Sequence, residues 1–412
     1  MSTMRGINPY YVLILLYAAL VPLEQIYPIL GLQNSIWKPY RVVGALVIVL
    51  IFLRGRIWFD RFDRRLFLLH LIGALISVFY ALFLGGSLDQ TIWFLTIIAI
   101  PAGVYVATKS WIWDRNQVDT IFMVWTVVNV ASVVYSIRNP GEYFRISGFF
   151  ESPGLFSLSL SVSVLYLFTK AMGTGTSPMR FLAVLAYVGV ALFLLGGMFA
   201  SGTRASLLGV FGSIVLTIAA LVVTKRRSYV VNSARVLAIL VSVGVIASFS
   251  FGQLRFSDRL LARYDVAGVV ESEERVDLWR AAIELGLDTG FMGVGAGRYI
   301  DYHAEYVRKV GATRRVLLET NLGVHSDYLS GLIEYGWYGL LIYLYFIATF
   351  LRLLWRNLVS SVHPDFFVVV FPLMGFLNLL IQGMFKLTFI FPVYWLALSL
   401  FMVLARWASK DR

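Results

Sequence analysis

The 412-residue chain contains no cysteine, and charged residues make up only 14% of it. Without cysteine, disulfides, thiolate metal sites and cysteine nucleophiles are excluded. So little charge beside 59% hydrophobic residues excludes an ordinary soluble globular domain. Histidine is also scarce, with four in the whole chain, so each one can be weighed individually as a candidate base.

Long apolar runs are abundant, and many could cross ~30 Å of hydrocarbon as a helix. The first run lacks the short apolar core and small-residue cleavage site of a removable signal peptide, so it is predicted to be a retained span. The chain is therefore predicted to be an all-α, polytopic integral membrane protein with about twelve transmembrane helices. The predicted spans are 10–30, 41–53, 66–84, 91–107, 117–137, 155–169, 181–200, 205–224, 236–252, 328–351, 366–385 and 387–405.

Orientation follows from the basic residues of the loops. Of 35 Lys and Arg residues, 19 fall in one set of short loops, 6 in the other set and 10 in the long segment 253–325. The positive-inside rule then predicts cytoplasmic termini and a structured outer loop at 253–325, between nine spans in 1–252 and three in 326–412. The net charge of +12 is attributed to cytoplasmic loops and an anionic substrate surface, not to nucleic acid.

The outer loop is predicted to contain an amphipathic helix that begins after Ser272. Its apolar face comprises Val276, Trp279, Ile283 and Leu287, spaced three and four residues apart. The acids Glu271, Glu273 and Glu274 at its start are assigned to the helix dipole, so no metal site is predicted. The following Gly293-Val-Gly295-Ala-Gly297 lacks the strand and spacing of a nucleotide-binding fingerprint and is interpreted as a tight turn.

Two arginines stand at predicted helix starts on the outer side. Arg204 follows Ser-Gly-Thr at the eighth span, where it could anchor the helix to lipid phosphates or bind an anion beside the helix N-terminus. The residues alone leave these two interpretations open. Arg275, four residues before Trp279, is on its own better interpreted as a solvated helix end.

His325 is the one histidine predicted to lie where an outer loop meets a span. A lone histidine near a helix start is usually structural, so position alone does not assign it a role. Glu334 falls within the predicted tenth span, where an unpaired carboxylate is costly. It is therefore predicted to be paired or functional.

Together these residues resemble the O-antigen ligase family, part of the bacterial superfamily of lipid-linked glycan polymerases and ligases. The family carries an Arg-x-x-x-Leu motif, an Arg-x-x-x-Trp motif and a His motif, in this order along the chain. The matching positions are His325-Ser326 with Gly336 and Gly339, Arg204 with Leu208, Arg275 with Trp279 and, more loosely, the loop containing Arg145 and Glu151.

The resemblance implies a GT-C-like membrane glycosyltransferase of the bacterial inner membrane with its active site on the periplasmic face. Such an enzyme moves a glycan from undecaprenyl diphosphate to an acceptor hydroxyl, here that of lipid A-core, without metal or cofactor. Arg204 and Arg275 would then clamp the diphosphate and His325 would be the catalytic base. Supporting roles would fall to Arg145, Glu151, Trp279 and Glu334.

This assignment makes chemical sense. A diphosphate is a good leaving group, so the enzyme must mainly stabilise its growing charge, and arginine binds phosphate oxygens in pairs. A histidine, with an ordinary pKa near 6.5, suits deprotonation of the acceptor hydroxyl. Direct displacement at the anomeric carbon inverts its configuration.

Three other functions remain open. A related polymerase or a protein O-oligosaccharyltransferase would share the donor and differ in the acceptor. A transporter would require broken helices and paired charges near the midplane, whereas ionisable residues here gather at span ends and in the outer loop. Lys386, between the last two spans, is compatible with either class.

Overall fold

The computed structural model describes residues 8–23, 38–54, 61–83, 88–112, 114–139, 146–150, 152–173, 178–226, 229–238, 275–312, 317–318, 323–360 and 365–410. All regular secondary structure in these residues is helical. The helices are α1 (Pro9–Leu20, extended by the 3-10 turn Val21–Leu23), α2 (Pro39–Arg54), α3 (Arg61–Phe83), α4 (Leu88–Trp111), α5 (Arg115–Arg138), α6 (Pro153–Gly173), α7 (Pro178–Ala200), α8 (Arg204–Val223), α9 (229–238), α10 (275–288), α11 (Tyr299–Lys309), α12 (Asp327–Glu334), α13 (Gly336–Ser360), α14 (Phe366–Gly383) and α15 (Pro392–Lys410).

Within the described residues, seven helices are long and apolar enough to cross a membrane: α5, α6, α7, α8, α13, α14 and α15. Two shorter apolar helices, Pro9–Leu23 and Pro39–Leu53, lie near the beginning of the chain. The chain is thus a multi-pass membrane protein, as predicted. The number twelve stays a prediction, and most of the predicted ninth span, 236–252, lies outside the described residues.

The predicted tenth span is wrong in its start. Instead of one helix over 328–351, a short helix (α12) ends at Glu334 and the spanning helix α13 begins at Gly336. Gly336 adopts a φ of +76°, and a Cβ there would lie 2.6 Å from the carbonyl oxygen of Met292. Only glycine tolerates this conformation and this contact. Glu334 therefore precedes the span and does not lie inside it.

The membrane core is built around α6 and α14, whose side chains are almost all buried. Hydrogen bonds between helices cross this core: Asn129 donates to Ser163 at 2.8 Å, and Asn378 donates to Ser161 at 3.0 Å. In hydrocarbon such polar side chains must find partners on neighbouring helices, so these bonds hold α5, α6 and α14 in register.

Helices α10 to α12 form a separate outer unit with its own apolar cluster. Leu278, Ala281 and Leu285 of α10 pack there with Tyr299 and Val307 of α11. The predicted apolar face of α10 is not the side that packs in this cluster. Three of its four residues, Val276, Ile283 and Leu287, are exposed. The predicted N-cap Ser272 and the neighbouring acids lie outside the described residues.

The glycine-rich segment 293–297 is a tight turn, as predicted. Gly293, Gly295 and Gly297 have φ values of +93°, +101° and +74°. A Cβ on Gly295 would lie 2.7 Å from the Cα of Ser77 in α3, while the Ser77 hydroxyl donates to the carbonyl of Ala296 at 2.8 Å. The turn therefore docks the outer unit closely against the helix bundle.

Candidate active site

A cavity of about 380 Å³ opens where the outer unit meets the bundle. Its walls come from the first turns of α6 and α8, the start of α10, the turn before α11, the segment before α12 and the connection between α14 and α15, residues 384–391. The lining residues are Ser152, Pro153, Gly154, Leu155, Thr203, Arg275, Gly297, Ile300, Gly323, His325, Glu334, Phe385, Lys386, Leu387, Ile390 and Phe391.

Three of the predicted site residues meet in this cavity. Arg275 at the start of α10, His325 just before α12 and Glu334 at the end of α12 all line it. The structure thus brings the predicted base, one predicted clamp residue and the predicted support residue Glu334 to one place.

The backbone around His325 is held in an unusual conformation. His325 has a φ of +53°, in the left-handed region that costs non-glycine residues energy and occurs often at functional sites. Directly after it, Ser326 caps α12 by accepting a hydrogen bond from the amide of Leu329 at 3.4 Å. The cap fixes where α12 begins, so the imidazole is presented from an ordered backbone.

Asp327 ties α12 to the 384–391 connection. Its buried carboxylate accepts hydrogen bonds from the hydroxyl of Thr388, from the amide of Thr388 at 2.6 Å and from the amide of Phe389 at 3.4 Å. Burial raises the pKa of Asp327 to about 7, against the opposing effect of these hydrogen bonds. The carboxyl group therefore joins the start of α12, two residues after His325, to the connection that contains Lys386.

Glu334 is buried on the wall of the cavity and accepts a hydrogen bond from the hydroxyl of Ser330 at 2.9 Å. Burial raises the pKa of Glu334 to about 7, while hydrogen bonds from the Gly297 amide, the Ser330 hydroxyl and the Tyr299 amide oppose the increase. A carboxyl group with such a pKa exchanges protons readily at neutral pH. Glu334 is thus hydrogen-bonded, and its raised pKa makes it a candidate for proton transfer.

Lys386 also lines the cavity, although its sequence context assigned it no role in the site. It is only 8% exposed, and its ammonium group donates to the hydroxyl of Ser206 at 2.6 Å. It also donates to Ser157 and to the carbonyl of Gly154 at 3.2 Å, and to Gln382 at 3.3 Å. One feature of the sequence could have pointed to Lys386 as a site residue: it is a lysine in a predicted outer loop, where the positive-inside rule expects few basic residues.

Two helix N-termini add to the positive character of this wall. Ser152 to Leu155 at the start of α6 and Thr203, the N-cap of α8, line the cavity. Amides in the first turn of a helix and the helix dipole favour bound anions. Together with Arg275 and Lys386 they make the cavity suited to a phosphate-bearing ligand.

The other predicted site residues lie elsewhere. Arg204 begins α8 next to Thr203, but its side chain is exposed and does not line the cavity. The Trp279 ring packs at 6.4 Å between centroids against Phe385, which does line it. Arg145 and Glu151 lie outside the described residues.

Fold and site together define a multi-pass helical membrane protein with a cavity at one end of its bundle that is lined by two basic side chains. Residues 189–344 match the family described as O-antigen ligase, a segment that runs from α7 into α13 and includes Arg204, Arg275, His325 and Glu334. The match confirms the O-antigen ligase family predicted from the sequence. This family implies ligase-type activity on lipid-linked glycans in a membrane. No curated protein matches the chain significantly.

Proposed function

We propose that this protein is an inverting, metal-independent glycosyltransferase of the O-antigen ligase type. It moves a glycan from undecaprenyl diphosphate to a hydroxyl of lipid A-core at the periplasmic face of the inner membrane. One observation carries the proposal: a base candidate, His325, and two cations, Arg275 and Lys386, line the same cavity beside two helix N-termini.

The donor diphosphate binds on the side of the cavity formed by α6, α8 and the 384–391 connection. Arg275 offers two parallel N–H donors to phosphate oxygens, while Lys386 acts as a point charge between α6 and α8. Arg204, exposed beside the cavity, contacts the diphosphate from the mouth. These groups stabilise the charge that accumulates on the leaving diphosphate.

The acceptor hydroxyl enters opposite the diphosphate, next to His325. Its oxygen attacks the anomeric carbon, the bond from that carbon to the diphosphate oxygen breaks, and the bonding electrons leave with the diphosphate. The proton of the hydroxyl passes to the imidazole of His325. Because the attack is a single displacement, the anomeric configuration is inverted.

Glu334 supports this step from the neighbouring wall. With a pKa of about 7, its carboxyl group can accept or release a proton near neutral pH, the range in which the imidazole of His325 must be neutral. We assign Glu334 to proton movement or to orientation of the acceptor, and Trp279 to packing of the cavity wall through Phe385.

The decisive experiment incubates purified protein with a lipid-linked glycan and each of two acceptors, lipid A-core and a second lipid-linked glycan. Extension of lipid A-core supports ligase activity. Extension of the second lipid-linked glycan alone would identify the related polymerase instead, and extension of neither would contradict the proposal. The reaction should persist in EDTA, since two protein cations replace a divalent metal at the diphosphate.

A further inference from the structure

Helix α10 has three distinct sides, one more than an ordinary surface helix. The first is buried within the outer unit and contains Leu278, Ala281, Ala282 and Leu285, each at most 1% exposed. The second is charged and contains Asp277, Glu284 and Asp288, while Arg280, seven residues before Leu287, lies at its border with the third side. The third is apolar and exposed, with Val276 at 41%, Ile283 at 43% and Leu287 at 60% exposure.

The charged side faces α11. Lys309 of α11 contacts Glu284 at 3.1 Å and Asp288 at 2.6 Å, and Tyr306 donates to Asp288 at 2.8 Å. Each of these charged partners keeps substantial exposure. Exposed ion pairs of this kind are typical of a surface in contact with water.

The exposed apolar side continues towards the membrane-spanning helices. Trp279, at its edge, packs against Phe385 just after α14. At the end of α10, the carbonyl of Phe291 accepts a hydrogen bond from the amide of Trp337, in the first turn of the spanning helix α13. Met292 and Trp337 are themselves more than half exposed, so the apolar surface runs from α10 onto a helix that crosses the bilayer.

We propose that the apolar side of α10, Val276, Ile283 and Leu287, is inserted into the outer leaflet of the bilayer. The occupant of this surface is therefore lipid. A helix with an apolar side of this kind lies in the interface plane with that side buried ~5–10 Å below the headgroups, and tryptophan is enriched at the same depth. The charged side then points to water, away from the bilayer.

This arrangement sets the depth of the cavity. Arg275 stands at the beginning of α10 and lines the cavity, so insertion of α10 holds its guanidinium at headgroup level. A phosphate carried on a membrane lipid lies at that same level. The apolar side of α10 thus aligns the cavity with ligands that stay anchored in the membrane.

The absence of cysteine makes a direct test possible, because any cysteine introduced is the only one in the chain. Four single variants, Ile283→Cys, Leu287→Cys, Glu284→Cys and Asp288→Cys, are labelled with a fluorophore and reconstituted in lipid nanodiscs. Positions 284 and 288 are matched controls on the charged side of the same helix. Fluorescence is then quenched either by nitroxide lipids labelled near the headgroup or by aqueous iodide.

We expect the ratio of lipid quenching to iodide quenching to be several-fold higher at positions 283 and 287 than at 284 and 288. Equal ratios on the two sides would overturn the proposal. Weak quenching of 283 and 287 by both agents would also overturn it, because protein, such as a second copy of the chain, would then cover this side. The measurement needs no substrate, so its result is independent of the proposed glycosyl transfer.

Discussion

The two ends of the helix bundle use basic residues in different ways. At the end away from the cavity, within the described residues, Lys109 pairs with Asp63, Lys170 with Asp119 at 2.9 Å, and Arg115 with Asp365. At the cavity end, Lys386 donates to hydroxyl, amide and carbonyl oxygens and lines the cavity. Arg275 lines the same cavity.

We propose that the cations of the first group are structural and that those of the second bind substrate. A cation paired with a carboxylate on a neighbouring helix holds two helices together, and the cost of burying one charge is offset by the other. A cation on a cavity wall can add a bond to an incoming anion. Five substitutions test this contrast and the proposed site, from the largest expected effect to the smallest.

The largest effect is expected for His325→Ala. Loss of a general base lowers the rate typically ~10²–10⁴-fold, so transfer to the acceptor should nearly stop while donor binding persists. The control is His303→Ala, since His303 bonds the carbonyl of Leu317 and does not line the cavity. Turnover of the His325 variant above about a tenth of wild type would be too high for loss of a base.

Lys109→Met should act on stability and leave the site chemistry unchanged. It removes the partner of Asp63 and leaves a fully buried carboxylate, which costs about 3–5 kcal/mol of unfolding free energy. Thermal unfolding in detergent measures this, and the protein that remains folded should bind donor normally. A folded variant with weakened donor affinity would break the contrast between the two ends.

Lys386→Met, in contrast, should weaken donor binding more than it lowers stability. Loss of a charge-assisted hydrogen bond of about 1.5–3 kcal/mol predicts donor binding weakened about 10- to 100-fold. Arg275→Lys should weaken binding as well, because an ammonium cannot reproduce the planar two-point contact.

The measurement is the affinity of the purified protein for undecaprenyl diphosphate and for undecaprenyl monophosphate, with Lys170→Met as the control at the far end of α6. The diphosphate affinity should fall more than the monophosphate affinity. Wild-type affinity for both lipids in the Lys386 variant would remove Lys386 from the site.

The smallest effect concerns pH. Burial raises the pKa of Glu334 from 4.5 to about 7, so the folded protein binds this proton more tightly than the unfolded chain does. Stability from this group is complete below about pH 4.5, declines as the pH rises towards 7, and stays low above it. Glu334→Gln should therefore flatten the fall in stability between pH 5 and 8 by about 1–3 kcal/mol. An unchanged pH dependence in the variant would contradict the assignment.

The membrane class, the family and three of the lining residues could be predicted from the sequence. Hydropathy is a property of a local window, so α5 to α8 and α13 to α15 were found without any knowledge of packing. The spacing of His325, Gly336 and Gly339 is equally local. Such a motif can be found in the sequence because its residues lie at fixed, short separations along the chain.

The break between α12 and α13 shows where a prediction from local hydropathy fails. Residues 327–334 are apolar enough to extend the following span, but the carbonyl of Met292 lies against Gly336 and forces a turn. Hydropathy does not register a contact with a segment more than forty residues away. The same limit applies to α10, since periodicity identifies an apolar face without saying whether protein or lipid covers it.

By itself the sequence determined that the chain is a multi-pass membrane protein and which motifs match the family, since both follow from residues close together in the chain. Only the tertiary structure decided that Lys386 belongs with Arg275 and His325, because its partners Ser157 and Ser206 lie 229 and 180 residues away in sequence. A cavity exists only where distant helices pack imperfectly against one another, and no local pattern contains that information.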